Sequence, residues 1–430
     1  MAEETLTLTV QKLASGGDGI AFSDGRVVFI PLTIPGEKVV CRLVSGSRDY
    51  ARAVLLDVLE PSPDRVVPPC PIFGLCGGCN LQHITIERQR ELKVGSVRET
   101  FLRMAKFDPG PLQIISGAEY GYRNRAEFHF SGDHGIGFMA SDSSESVRAR
   151  DCPVVAPSVR AWLRVQNKKS RPDKDFRAAY GNRDRFTVFG QDERLYIEGR
   201  DAVARAVVAG REYSFPLRHF FQSNVEMASL LLQDVIDGVS GDRAVDLYCG
   251  SGLFAKRLAE RCGEVVCVES DPVALEAARV NVTGKGVAFR AKTSEEWIKS
   301  PVSSAGWRNP SPTPSATVSG TAETDVGAAG RQARPRAQVP IDWVTVDPPR
   351  TGLSPELRAW LSRAAIGAIN YISCDHVTLA RDLAELNDAG WRIDSLRLYD
   401  FYPQTGRIEV FARLFPDDTR RRHYGENRSL

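Results

Sequence analysis

Residues 243–269 limit the fold of this chain more than any other stretch. Ala244-Val245-Asp246 is an apolar run ending in a carboxylate, Gly250 and Gly252 make a tight turn, and Leu253-Phe254-Ala255 opens a helix. In such a strand–loop–helix crossing the glycines let the backbone approach a ligand, and the helix start offers unpaired N–H groups. A second apolar run, Val265-Val266-Cys267-Val268, ends in Glu269. An acid about twenty residues beyond the glycine loop is placed to take both hydroxyls of a ribose. The loop alone is a weak signal that also fits a plain structural turn. With the acid at this spacing, the pair reads as a nucleoside-cofactor pocket.

The stretch from about residue 215 onward fits that pocket. Apolar strands alternate with helical stretches, the pattern of a doubly wound parallel sheet. Strands are expected near 243–248, 264–269, 286–290, 341–346, 367–373, 391–400 and 407–414, and a helix begins near Val225 after Phe220-Phe221-Gln222-Ser223-Asn224. Residues 301–340 are rich in Pro, Ser, Thr, Ala and Gly, which reads as a disordered surface insertion between two strands. Three strand ends beyond it carry chemistry. Val346-Asp347-Pro348-Pro349-Arg350 points an acid into the pocket, since ligands bind outside the carboxyl ends of such strands. Ile372-Ser373-Cys374-Asp375 ends a strand in a cysteine just before a helix whose stripe is Leu379, Leu383 and Leu386, with Gly390 as its stop. A helix N-terminus stabilises a thiolate, so Cys374 is expected to be an activated nucleophile. Glu409 then opens the last strand. A strand-end cysteine alone is more often buried packing. Beside Asp347, Glu409 and a cofactor loop it suggests covalent addition with proton removal.

The first sixty residues read as a small β unit. Leu6, Leu8 and Val10 alternate with polar residues, and Val27–Ile30, Val39–Leu43 and Ala53–Leu56 follow between glycine or proline turns. About five short strands suggest a small barrel of the kind that binds oligonucleotides. Pro61, Pro63, Pro68 and Pro69 mark a linker. Cys70, Cys76 and Cys79 then stand at C-x5-C-x2-C spacing, with Cys152 as a fourth candidate. The start Met1-Ala2-Glu3-Glu4 lacks a secretory pattern, so nine cysteines imply a reducing, cytoplasmic compartment, where clustered thiols are more often metal ligands than disulfides. Four thiolates fit an iron–sulfur cluster or a structural zinc equally well. No apolar run is long enough for a membrane span. The net charge of +2 means that nucleic-acid binding must come from local patches. Two candidates are Gly121–Phe130, where arginines interleave with aromatics, and the basic run Lys168, Lys169, Arg171, Lys174, Arg177.

Taken together, the motifs resemble the RNA 5-methyluridine methyltransferases over nearly the whole chain. The resemblance rests on the TRAM-like elements Gly16–Ala21 and Ile34–Glu37, on Cys70, Cys76, Cys79 and Cys152, on Gln222, on Asp246–Gly252, on Asp347–Arg350, on Ser373-Cys374, and on Gln404-Thr405 with Glu409. It implies an OB-like TRAM barrel over 1–60, a central α+β cluster-bearing domain over 61–214, and a Rossmann-like class I methyltransferase domain over 215–430. It implies S-adenosylmethionine as cofactor, contacted by Gln222, Tyr248, Gly250, Glu269 and Asp347, and a [4Fe–4S] cluster on the four cysteines. Cys374 would be the nucleophile and Glu409 the base. The expected substrate is RNA, ribosomal RNA ahead of transfer RNA, and the expected state is a monomer. Two positions depart from the family pattern. His376 stands where proline is usual and reads as a surface substitution, and Arg407 stands where histidine is usual two positions before the glutamate.

Overall fold

A computed structural model describes residues 4–130, 135–141, 143–168, 183–300 and 341–417. The basic residues Lys169, Arg171, Lys174 and Arg177 and the stretch 301–340 lie outside the described residues.

The N-terminal unit is a six-stranded sheet of β1 (Thr5–Thr9), β2 (Lys12–Leu13), β3 (Gly19–Ser23), β4 (Arg26–Ile30), β5 (Lys38–Gly46) and β6 (Tyr50–Glu60), in the order β1-β5-β6-β4-β3-β2. Val10, Ala21, Val28, Ile30, Val39, Cys41 and Ala53 fill its core. Strand β3 begins inside a stretch that reads as glycine loop. A Cβ at Gly19 would stand 2.0 Å from the Thr33 hydroxyl, so glycine serves close packing there, not a turn.

The chain then forms α1 (Ile86–Thr100), prolonged by a π-helical turn at Phe101–Ala105, and the short β7 (Gln113–Ile115). A second sheet follows, built from β8 (Arg125–Phe130), β9 (Ile136–Met139), β10 (Ser146–Arg148), β11 (Arg185–Gln191) and β12 (Arg194–Ile197), in the order β10-β9-β8-β11-β12. Strand β8 buries Ala126, Phe128 and Phe130 at period two. Helix α2 (Pro157–Lys168) covers them with Val159 and Leu163.

A hairpin, β13 (Val203–Val208) and β14 (Arg211–Pro216), leads to α3 (Val225–Ile236) and shares its apolar core. Then come β15 (Gly241–Leu247), α4 (Leu253–Leu258), β16 (Cys262–Glu269), α5 (Pro272–Asn281), β17 (Val287–Ala291), α6 (Ser294–Ile298), β18 (Ile341–Val346), α7 (Pro355–Arg363), β19 (Ile366–Ser373), α8 (His376–Asp388), β20 (Trp391–Tyr399) and β21 (Glu409–Pro416). The strands form one sheet in the order β17-β16-β15-β18-β19-β21-β20-β7. Helices α3, α4 and α5 pack on one face, and α1, α7 and α8 on the other. Covered on both faces, the parallel strands bury nearly every residue, as in Ala244–Leu247.

Two details of this sheet position chemistry. Strands β15 to β19 are parallel, so their carboxyl ends share one edge. Strand β21 runs antiparallel between β19 and β20, with Ser373 opposite Val410. Its first residue, Glu409, therefore stands at that same edge, next to the end of β19. No helix among the described residues is long and apolar enough to cross a membrane.

Candidate active site

The loop after β15 turns through three left-handed residues, Tyr248 (φ +61°), Gly250 (+51°) and Gly252 (+83°). A Cβ on Gly252 would lie 2.6 Å from Val282 Cγ2, so only glycine allows this approach to α5. Asp246 is fully buried below the loop and accepts the Ala255 N–H at the start of α4 (2.8 Å). Its second oxygen has no partner among the described residues. Burial pushes the Asp246 carboxyl well above the usual range, and the charges of Asp347 and Glu269 add to the shift. Glu269 accepts the N–H groups of Gly250 (3.0 Å) and Asp271 (2.8 Å), which fixes the acid against the glycine turn. Tyr248 and Glu269 line a cavity of about 480 Å³ with Ser270, Ser294, Glu295 and Leu353, within the size range of small-molecule sites. The Tyr248 hydroxyl donates to Glu295 (3.3 Å).

At the neighbouring strand ends Asp347, Cys374 and Glu409 interact through their charges. The Cys374 thiol is pushed up to about 11, by burial first and then by the carboxylates of Glu409 and Asp347, with Arg350 opposing. The shift runs opposite to the stabilised thiolate expected from a helix start. Burial is the main reason; Asp375 adds a smaller share, and its carboxylate accepts the Val377 and Thr378 N–H groups (both 3.0 Å) at the N-terminus of α8. Burial also raises Asp347 and Glu409, and Asp347 raises Glu409 further while Arg350 pulls it down. Burial and a like-charged neighbour both disfavour the ionised form of these carboxyls.

Gln222 is buried before α3. The next residues tie that segment to the loop leading into β21: Asn224 caps α3 through the Met227 N–H (3.1 Å) and donates to the Phe401 carbonyl (3.0 Å). His376 is buried, not a surface residue. It is the first residue of α8, its Nε2 has no partner among the described residues, and burial lowers the basicity of its ring. Two groups escape a reading by motif. Arg350 acts on both Cys374 and Glu409. The buried hydroxyl of Tyr402 feels the charges of the same pair and lies beside Ser223. The signals for them are the residue after Asp-Pro-Pro and an aromatic in the loop before the acid.

Cys70, Cys76, Cys79 and Cys152 line one small cavity of about 30 Å³, walled by Ile72, Phe138 and Val155. Gly78 N–H points to Cys76 Sγ (3.4 Å). Burial raises all four thiols, and Cys152 interacts electrostatically with Cys70, Cys76 and Cys79. Asp151 holds the Cys152 turn through paired bonds to Arg160 (both 2.7 Å) and Arg164 (3.0 and 2.7 Å). Among the described residues, no three His, Cys, Asp or Glu side chains are grouped as a metal ion needs.

Beside this loop a cleft of about 490 Å³ separates barrel and sheet, lined by Arg52, Cys79, Asn80, Arg123, Tyr402 and Arg407. Burial lowers the Arg407 guanidinium, and the charges of Arg350 and Arg123 add to this. Three guanidiniums are thus held near one another at the mouth of the Cys374 site.

The sequence and the fold both have relatives. The family described as tRNA (Uracil-5-)-methyltransferase matches residues 337–414, the TRAM domain matches 1–56, and the methyltransferase small domain matches 218–303. An RNA methyltransferase of Treponema denticola is 30% identical over 94% of this chain and 97% of its own. A 23S rRNA (uracil(1939)-C(5))-methyltransferase, RlmD, of Shewanella sediminis is 28% identical over 95% of each chain. A Pyrococcus abyssi tRNA (uracil-54, C5)-methyltransferase, solved with S-adenosyl-L-homocysteine, shares the fold at a TM-score of 0.65 and 23% identity, over 95% of this chain and 100% of that one. The chain belongs to the RNA uracil-C5 methyltransferase family.

Proposed function

We propose that this enzyme methylates carbon 5 of a uridine in ribosomal RNA, with Cys374 as nucleophile and Glu409 as base. The observation that carries the reading is that Glu409 and Cys374 each stand next to the last pair of the β19–β21 ladder, Ser373 opposite Val410, with the Glu409 charge acting on the thiol. Ribosomal RNA is favoured because a relative named for 23S rRNA aligns over 95% of this chain. The cleft with Arg52, Arg123 and Arg407 suits an RNA backbone.

Carbon 5 of uracil is a weak nucleophile. Cys374 gives up its thiol proton to solvent, the thiolate sulfur adds to carbon 6, and the ring electrons shift to give an enolate that is nucleophilic at carbon 5. S-adenosylmethionine, when bound, supplies a methyl group on a positive sulfur, and the sulfur keeps the bonding electron pair as carbon 5 takes the methyl. Glu409 then removes the carbon 5 proton. The freed electrons restore the C5–C6 double bond and expel the Cys374 sulfur. The residues present fit a cationic cofactor. Asp246, Glu269 and Asp347 stand at one edge, and burial pushes up the acids Asp246 and Asp347, so a cation bound beside them would favour their charged forms. Glu269 would take the ribose, Tyr248 and Gly250 the loop side, and Gln222 and Asp347 the end near the reacting carbon. The reading of a [4Fe–4S] cluster is supported by all four cysteines lining one small cavity, although among the described residues their side chains are not grouped as a metal needs. A cluster there would tie the 70–79 loop to Cys152.

Mass spectrometry of the protein with S-adenosylmethionine and RNA containing 5-fluorouridine tests this reading, because fluorine blocks the final proton removal. A methylated RNA adduct on Cys374 is expected, and sequencing the trapped RNA identifies the substrate. Cofactor binding without an adduct, or full activity in Cys374→Ala, would replace the mechanism by one that methylates an exocyclic amine. A trapped transfer RNA would overturn the substrate assignment alone.

A further inference from the structure

The loop that delivers Glu409 is held by residues far from it in sequence. Gln404 is buried with a left-handed backbone (φ +68°), a conformation that a side chain of this size adopts only when its surroundings enforce it. Its carbonyl accepts the N–H groups of both Asn80 (3.1 Å) and Leu81 (3.0 Å). Its side chain and amide pair reciprocally with Gln89: Gln89 Nε2 donates to Gln404 Oε1 (2.9 Å), and Gln404 N–H donates to Gln89 Oε1 (3.0 Å). Two residues on, Gly406 N–H donates to Asn80 Oδ1 (3.1 Å), while Asn80 Nδ2 donates to the Gly16 carbonyl of the barrel (2.7 Å). One partner is an N–H and the other a carbonyl, so the orientation of the Asn80 amide is fixed by its contacts. The packing is equally close: a Cβ on Gly406 would stand 2.6 Å from the Gly16–Gly17 backbone. Gly16, Asn80 and Gly406 all line the cleft next to the reactive pair.

We infer that Asn80 is a positioning residue for the proton-removal step: its side-chain oxygen anchors Gly406 and thereby sets where Glu409 stands relative to the adduct on Cys374. The same side chain joins the barrel loop to the start of β21, and its backbone follows Cys79 directly. One amide thus connects three parts of the enzyme. The inference rests on the proposed roles of Cys374 and Glu409, and its test separates the two.

The test uses unmodified uridine RNA and follows the methylated protein–RNA adduct by denaturing electrophoresis and mass spectrometry. In the intact enzyme, removal of the carbon 5 proton frees Cys374 and little adduct remains. In Asn80→Ala the first two steps run, but Glu409 is displaced. The adduct accumulates and turnover falls roughly 100-fold, the loss that about 1 Å of misplacement brings, while S-adenosylmethionine affinity stays within about twofold, roughly 0.4 kcal/mol. Asn80→Asp keeps the acceptor for Gly406 and loses the donor to Gly16, and it is expected to clear the adduct as the intact enzyme does. If Asn80→Ala does not fold, as judged by lost cofactor binding, Asn80→Ser replaces it, being too short to reach both partners. Loss of activity without accumulated adduct, normal turnover in Asn80→Ala, or equal accumulation in Asn80→Asp overturns the inference. Failure of the intact enzyme to form an adduct with 5-fluorouridine RNA overturns the proposed mechanism instead.

Discussion

A thiol held near 11 reacts slowly at neutral pH, because only its thiolate is nucleophilic. Alkylation of Cys374 by iodoacetamide, read on its own peptide, should rise steadily from pH 8 to beyond 10. Arg350→Gln removes a cation that lowers this thiol and should slow alkylation at every pH. Asp246 bears on stability in a related way. Its folded-state pKa lies above the unfolded one, so the folded chain binds that proton more tightly and loses stability as pH rises above about 4. Asp246→Asn keeps an oxygen for the Ala255 N–H and should flatten the fall in melting temperature between pH 5 and 8. Cys374, Asp347 and Glu409 were legible in the sequence because each ends or begins an apolar run. Their protonation was not, because it depends on carboxylates brought together from different strands. His376 was misread for the same reason: burial at a helix start depends on the packing of α8, which no local pattern reveals.

Helix α8 shows how one element divides its N-terminus between stability and chemistry. Asp375 caps it with two hydrogen bonds and also raises the neighbouring thiol. Asp375→Ala should therefore destabilise the fold by about 1 kcal/mol and at the same time speed Cys374 alkylation. Asp375→Asn keeps the cap, so it should show the faster alkylation with little loss of stability. Thermal unfolding and alkylation rates on the same samples separate the two effects. The stripe Leu379, Leu383, Leu386 and the stop at Gly390 (φ +85°) were readable from sequence, since helix periodicity and caps are local signals. Strand β3 was hidden because Gly19, a usual turn former, is used there for close approach to Thr33.

Across the whole molecule, the surface proposed to meet RNA is assembled from parts that are weak alone. Arg52 comes from the barrel, Arg123 from the central region and Arg407 from the loop before β21, and they meet only in the cleft. Each phosphate contact adds about 0.7 to the slope of log affinity against log salt for a single strand. Arg407→Ala should reduce that slope by about that amount in a filter-binding titration, and Arg407→His by more at pH 8, where imidazole is neutral, than at pH 6. The succession of barrel, cysteine loop and doubly wound sheet was readable along the chain, because each has its own periodicity and punctuation. The way they lock together was not. Strand β7 pairs with β20, and Asn80 reaches Gly406; such contacts join residues hundreds of positions apart and leave no local trace.

If Cys374 is the nucleophile proposed above, a raised thiol pKa also bears on how the enzyme meets its own reagent. An ionised sulfur facing a methylating sulfonium would be converted to S-methylcysteine, and the enzyme would be lost after a single misfire. A thiol kept neutral by burial and by Glu409 and Asp347 is inert to that reaction. On the proposed mechanism the thiol has to ionise only once a uridine is in place, its proton then leaving to solvent.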